Sequence, residues 1–313
     1  MSVDPRVHVT LEHLRSLQGA AHGLNFLPRQ PARSVLNGRH ASRLRGRGLN
    51  FEEMRDYLPG DDIRSIDWKA TARTGSPHVR VFTEERDRPA LLVVDQRMSM
   101  FFGSQHNMKS TTAAEAAALA AFRILAVGDR VGGIAFDDER QLEVKPQRSA
   151  GAVYRFLEQV VELNEGLHPD RRGQPQPGWL NSVLGRVSRI ATHDHLVLVF
   201  SDFDGIDATT RRRLAGLATH NDVILLAVHD PTARTLESSD RLVLGDADRQ
   251  AEFDLGAERL RQTMTTWSTA RLDRIFAWQN EINLSVLPLN AGEETLPQLR
   301  HLMGADAPQR RVR

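Results

Sequence analysis

The fold turns on one stretch, Ala90-Leu91-Leu92-Val93-Val94-Asp95-Gln96-Arg97-Met98-Ser99-Met100. Its first five residues are an unbroken apolar run, too short for a helix, that stops on a carboxylate. A run apolar at every position fits a strand buried on both faces, as in a parallel sheet. Similar runs recur at residues 130–136, 195–200 and 222–228, and the run 195–200 leads into Ser201-Asp202-Phe203-Asp204-Gly205. Helical patterns lie between and after them, over 111–127, 150–163, 180–190 and 209–219. The first of these is alanine-rich and stopped by Gly128-Asp129. Strands alternating with helices predict an α/β fold, a doubly wound and mostly parallel sheet with helices on both faces. Right-handed crossovers narrow the topology further.

On the amino-terminal side, Val7, Leu11, Leu14 and Leu17 recur at helical spacing over 7–21. Residues 29–47 carry Arg29, Arg33, Arg39, Arg43, Arg45 and Arg47 with no acidic residue and several glycines, which reads as a basic arm. Residues 51–58 suit a short helix or an extended turn, Pro59-Gly60-Asp61-Asp62 a turn, and 78–82 a strand. On the carboxyl-terminal side, 142–144, 242–244, 252–255 and 282–287 read as strands and 257–278 and 294–303 as helices. Pro, Gly and Arg mark 165–178 as a loop. Three parts follow: 1–87, the α/β domain 88–230, and a smaller carboxyl-terminal extension 231–313.

Composition excludes several classes of function. The chain has 313 residues, 40% hydrophobic and 26% charged, with a net charge of +1 and no cysteine. Near neutrality removes any global pull towards nucleic acid or membrane. The missing cysteine removes disulfides, thiolate metal sites and thiol nucleophiles. No apolar run reaches the ~20 residues that span a bilayer, and the first residues lack a signal-peptide core, so a cytoplasmic protein without membrane insertion is expected. The basic arm has aromatics only at its edges, Phe26 and Phe51, so it lacks a base-stacking platform and nucleic acid is not the expected partner. His193-Asp194-His195 is the one tight histidine pair, and no third ligand accompanies it. Phosphate-binding loop, nucleophile-elbow and zinc-protease motifs are all missing.

Chemistry is expected at the carboxyl ends of the strands, where ligands of open α/β sheets bind. Asp95, Ser99 and Asp202 are hard oxygen donors of the kind Mg²⁺ takes. A strand followed by aspartate fits equally well a cap for the next helix.

Asp95-x-x-x-Ser99-Met100 after one strand, with Ser201-Asp202-Phe203 after a later one, resembles the von Willebrand factor A fold, a Rossmann-like sheet with a metal-ion-dependent adhesion site. Residues 48–73, Gly-Leu-Asn-Phe-Glu-Glu-Met-Arg-Asp-Tyr-Leu-Pro-Gly-Asp-Asp-Ile-Arg-Ser-Ile-Asp-Trp-Lys-Ala-Thr-Ala-Arg, resemble the signature of the bacterial von Willebrand A-like family called domain of unknown function 58. That resemblance implies a protein–protein adaptor or co-chaperone, not an enzyme, that works with a MoxR-type AAA+ ATPase and an unidentified client. It also implies a metal site at Asp95, Ser99 and Asp202. Here Arg97 stands where the family has a ligand serine, and Trp179 falls where a ligand threonine belongs. The expected site is therefore degenerate, with Arg97 bridging Asp95 and Asp202, no resident cofactor and at most weak Mg²⁺ binding, and with Asp204 and Trp179 among its binding residues. The alternative is a metal-dependent phosphoester hydrolase using Asp95, Asp202 and Asp204. The charges of Glu52, Arg55, Asp61, Asp62, Arg64 and Asp67 read as a structural network with Trp68 packed beneath it.

Overall fold

The computed structural model describes residues 4–24, 49–58, 63–84, 89–171, 176, 178–231, 241–246, 249–254, 258–282 and 284–303. The basic arm 29–47 and the turn 59–62 lie outside the described residues. The chain divides into two compact units, residues 29–87 and residues 1–28 with 88–313.

The smaller unit contains β1 (Leu49–Asp56), α2 (Trp68–Thr74) and β2 (His78–Glu84). Residues 51–56 are strand, not helix: β1 pairs antiparallel with β2 along its whole length, with one irregularity between Phe51 and Glu53. The pairing partner lies more than twenty residues downstream, out of reach of a local pattern. Asp67 caps α2, its Oδ1 accepting from the backbone N–H of Lys69 (3.0 Å) and Ala70 (3.1 Å). Gly75 ends the helix at φ 81°, a conformation that suits glycine. Trp68 is not packed beneath a charge network; it is 65% exposed. It occupies the first helical position, two residues and about 200° of helix rotation from the buried Ala70.

The larger unit begins with α1 (Leu11–Ser16) and continues through β3 (Ala90–Asp95), α3 (Lys109–Ala126), β4 (Val131–Phe136), β5 (Gln141–Gln147), α4 (Ala150–Glu165), α5 (Trp179–Ile190), β6 (Leu196–Ser201), α6 (Ala208–His220) and β7 (Asp222–His229). It closes with the hairpin β8 (Arg241–Asp246) and β9 (Arg249–Asp254), then α7 (Glu258–Glu281), β10 (Ser285–Asn290) and α8 (Thr295–Leu302). Six strands form one sheet in the order β10–β7–β6–β3–β4–β5. All neighbours are parallel except β5, which returns antiparallel to β4. This is a mixed α/β, Rossmann-like architecture. Among the described residues no helix is long and apolar enough to cross a membrane.

The alternation of β3 sorts the core into two layers. Ala90, Leu92 and Val94 pack with α1, α3, α4 and α8, while Leu91 and Val93 pack with α5, α6 and α7. Each fully buried Leu or Val contributes about 2 kcal/mol of transfer free energy, so this strand anchors both layers at once. Helix α3 is buried almost all round, and its alanines let neighbouring backbones approach closely. Gly132 and Gly133 in β4 are needed for space. A Cβ on Gly132 would strike the Val144–Pro146 backbone, and one on Gly133 would strike Phe156 and the Leu92 carbonyl. Both outer strands carry a proline, Pro146 in β5 and Pro288 in β10, and proline on an edge strand removes a donor that a foreign strand would need.

The amino-terminal segment and α8 are tied to α3 through one carboxylate. Glu115 Oε1 lies 2.7 Å from His13 Nε2, and its Oε2 accepts from Thr295 Oγ1 (2.5 Å) and Asn107 Nδ2 (3.2 Å). The hydrogen bond to Glu115 raises the His13 pKa above its ordinary 6.5, against the lowering effect of burial. The pair's stabilisation is therefore complete below the ordinary histidine pKa and is lost as pH rises through the raised value. His13→Ala is expected to cost about 1 kcal/mol at pH 6 and less at pH 9. Melting curves of both proteins at the two pH values check this, and an equal loss at both would show that the charge is not involved.

Candidate functional site

The strand order reverses between β3 and β6. From β3 the chain moves out through β4 to β5; from β6 it moves the other way through β7 to β10. A crevice at such a reversal is where open α/β sheets take ligands. Asp95 ends β3, and Asp202 follows the last residue of β6, so both predicted carboxylates stand at this point. Both are buried, Asp95 completely.

Two buried carboxylates need compensation, and two cations supply it. Arg97 folds back on Asp95. Its Nε donates to Oδ1 (3.0 Å) and Oδ2 (3.1 Å), its Nη2 to Oδ2 (2.7 Å), and its backbone N–H to Oδ1 (3.0 Å). Its Nη1 reaches the Asp204 carbonyl at 3.2 Å, while Nη2 stays 3.8 Å from Asp202 Oδ1. The bridge expected from Arg97 is thus unequal: it is forked onto Asp95 and only adjacent to Asp202. Asp202 has its own partner, since Lys109 Nζ donates to Oδ2 at 2.7 Å. Ser99 Oγ (3.3 Å) and the Asp204 N–H (3.0 Å) both donate to Asp202 Oδ1.

Ser201 and Phe203 set the geometry of the second loop. Ser201 Oγ donates to Asp95 Oδ2 (2.6 Å) and accepts from the Phe203 N–H (2.8 Å), joining the two strand ends. Phe203 is fully buried at φ 55°, a conformation disfavoured for a bulky residue. Such strain persists only where surrounding contacts enforce it, and here it turns the chain so that Asp202 and Asp204 both border the cluster. Asp204 Oδ1 pairs with Arg271 Nη1 of α7 at 2.6 Å.

The electrostatics follow from this arrangement. Burial alone would raise the Asp202 pKa, but the charges of Lys109, Arg271 and Arg97 overcome it and hold the group far below the carboxylate range. Burial alone would lower the Arg97 pKa, but Asp95 raises it further, so the guanidinium stays charged. Asp138, which accepts the Met98 N–H at 2.8 Å, behaves differently, and burial pushes its carboxyl up.

Trp179 sits at the next loop. Its indole N–H donates to the Asp137 carbonyl at 2.6 Å, and Arg171 pairs with the Asp137 carboxylate at 3.0 Å. The structure thus brings Asp95, Arg97, Ser99, Asp202 and Asp204 together and places Trp179 against the loop after β4. Lys109, Ser201 and Arg271 were not foreseen. Lys109 left one trace in the sequence: a lysine just ahead of the alanine-rich run falls in the first turn of α3, where the helix dipole disfavours a cation. A partner carboxylate explains its position.

The residues do not fit a divalent cation. Arg97 and Lys109 place two positive charges on the oxygens a metal would need, and among the described residues no group of three or more His, Asp or Glu is poised to hold one. A partner's acidic side chain gains little from Arg97 either, because its side chain is 9% exposed and all three of its nitrogens are engaged within the protein. Lys109→Met, which leaves Asp202 buried and one cation short, is expected to cost about 3–5 kcal/mol. Denaturant unfolding measures this, and a loss under about 1 kcal/mol would mean that Asp202 draws its compensation elsewhere. Asp202 also adds to stability above the ordinary carboxylate pKa, and that share disappears as pH falls through its depressed value.

Residues 53–273 match the family described as "Protein of unknown function DUF58". The chain is similar to Uncharacterized protein Rv1480 of Mycobacterium tuberculosis (strain ATCC 25618 / H37Rv) and Uncharacterized protein Mb1516 of Mycobacterium bovis (strain ATCC BAA-935 / AF2122/97). Each is 29% identical over 232 residues, covering 74% of this chain and 71% of the relative. The matched segment contains Asp95, Arg97, Lys109, Asp202, Asp204 and Arg271 and takes in most of the chain, which belongs to the DUF58 family.

Proposed function

We propose that this chain is a non-enzymatic protein–protein adaptor or co-chaperone of the cytoplasm that works with a MoxR-type AAA+ ATPase on a client protein. In this reading the strand-end cluster is a degenerate metal-ion-dependent adhesion site of a von Willebrand A-like domain. The observation that carries it is the pair of buried cations at the switch point: Arg97 on Asp95 at 2.7 Å and Lys109 on Asp202 at 2.7 Å. Two monovalent cations supply the charge of one divalent ion, so the rim keeps its shape without metal. The same pairing weighs against two-metal phosphoester hydrolysis, which needs several carboxylate oxygens free to converge on metal.

Partner contact then falls to the loops around the cluster: Ser99 after β3, Asp204 after β6 and the residues around Trp179. Tagged chain passed through native lysate with and without ATP is expected to retain an AAA+ ATPase in a nucleotide-dependent way. Retention of no ATPase under either condition counts against the adaptor reading. Arg97→Ser combined with Lys109→Thr removes both cations and is expected to create Mn²⁺ binding detectable by electron paramagnetic resonance, absent from the wild type. Mn²⁺ bound equally by the wild type, or a folded double variant that binds none, would remove the degenerate-site reading.

A further inference from the structure

Helices α5 and α6 pack side by side on one face of the large sheet. Together they carry Arg186, Arg189, Arg211, Arg212 and Arg213 and not one acidic residue, although 40 of the chain's 313 residues are Asp or Glu. Two of the five arginines are neutralised from neighbouring elements. Arg186 Nε donates to Glu143 of β5 at 2.8 Å, and Arg211 Nε donates to Glu281 of α7 at 2.7 Å. The other three are exposed and have no carboxylate partner among the described residues. Arg212 donates to Thr209 Oγ1 (3.2 Å), and Arg189 and Arg213 make no side-chain hydrogen bond there. Asp207, the cap of α6, is engaged by the N–H groups of Thr209 (2.7 Å) and Thr210 (2.8 Å) and by the Asn181 amide (3.1 Å).

Arg213 is also held in place. It reaches across the helix pair onto Gly185 of α5, where a Cβ would lie 2.6 Å from Arg213 Nη1 and 3.2 Å from its Cζ. Glycine at this position lets the guanidinium settle against the α5 backbone. Arg189 stands one turn, about 6 Å, further along the same side of α5. Helical side chains lean towards the amino-terminal end, so Arg189 leans back towards Gly185. Two uncompensated guanidiniums therefore share one side of the α5–α6 junction.

The surroundings of this face select among its possible anionic partners. A membrane surface calls for apolar side chains beside the cations, and the exposed large apolar residues Met54, Leu58, Ile63, Trp68 and Val127 all lie outside α5 and α6. Duplex nucleic acid presents an unbroken series of phosphates, about one charge per 1.7 Å, which Glu143 and Glu281 beside the face oppose. Single strands gain from aromatic platforms, and the one aromatic residue in these two helices is Trp179, whose indole N–H is bonded to the Asp137 carbonyl. Protein carboxylates come singly, spaced by helix turns, and match cations that stand apart.

We propose that the α5–α6 face binds an acidic segment of a partner protein, with carboxylates about one helical turn apart taken by Arg213 and Arg189. A guanidinium bonds a carboxylate through two parallel N–H donors, and Arg213, already set against Gly185, loses little freedom in doing so. The face begins at Trp179, where α5 starts, and stands whether or not the partner is an ATPase.

Fluorescence anisotropy of a labelled helical peptide with glutamate at every fourth position, titrated with the full-length chain, tests this. The wild type is expected to bind the peptide. Arg189→Gln combined with Arg213→Gln is expected to weaken binding about tenfold or more. Arg186→Gln combined with Arg211→Gln removes the same charge from the paired arginines and is expected to stay within about twofold of wild type. Gly185→Ala keeps every charge but displaces the Arg213 head, and is expected to weaken binding severalfold. A thymidine oligonucleotide and phosphatidylserine vesicles are expected to bind more weakly than the peptide. The proposal is overturned by a wild type that does not bind the peptide, by equal losses in the two double variants, by full affinity in Gly185→Ala, or by tighter binding of the oligonucleotide or the vesicles.

Discussion

Two carboxylates buried side by side at the reversal of the strand order are the constraint from which the rest of the site follows. Leaving either charged and unpaired in the interior would cost several kcal/mol. Each is matched by a cation from a different place: Arg97 comes from two residues along the same loop and Lys109 from the first turn of α3. Ser201 ties one carboxylate to the other loop, and the strained Phe203 turns that loop back. The carboxyl end of β3, the amino-terminal end of α3 and the loop after β6 are thereby held in one electrostatic unit. Ion pairs of this kind are weak evidence for extra stability, but breaking one is costly, which makes the local geometry hard to vary piecemeal.

The sheet and its helices were largely legible in the sequence, because fully apolar strands such as Leu91–Val94 admit few other readings. The carboxylates at their ends were legible for the same reason: once the strands are placed, so are the residues that end them. What escaped was long-range pairing. β1 is a strand because of β2, and no local signal in residues 51–58 says so. Lys109 reaches Asp202 across 93 residues and Arg271 reaches Asp204 across 67, while Ser201, though next to Asp202, takes its place by bonding Asp95, 106 residues away, and only the folded chain makes these contacts. Trp68 failed for the opposite reason. A large apolar residue invites burial, yet the helix phase set by the Asp67 cap turns it outward.

Elements outside the family match are integral to the larger unit. The amino-terminal segment contributes Val9, Leu14, Ala21 and Leu24 to the core, and β10 with α8 completes one side of the sheet. The segment also hydrogen-bonds next to the cluster. Asn164 accepts the Val9 N–H at 2.9 Å and donates to Gln96 at 2.8 Å, one residue from both Asp95 and Arg97. The family's shared stretch therefore carries the charged site, while flanking residues of this chain wall in one side of it.

The prolines at the two outer strands have a further meaning once the helical layers are in view. With each outer strand short of one donor and both faces covered by helices, lateral growth into a larger sheet is disfavoured for this unit. What is left for a newcomer is an end-on approach along the strand axis. On the end where Asp95 and Asp202 stand, that approach meets loops instead of backbone awaiting a partner, so recognition there depends on side-chain identity and loop shape, which evolution can retune without touching the sheet.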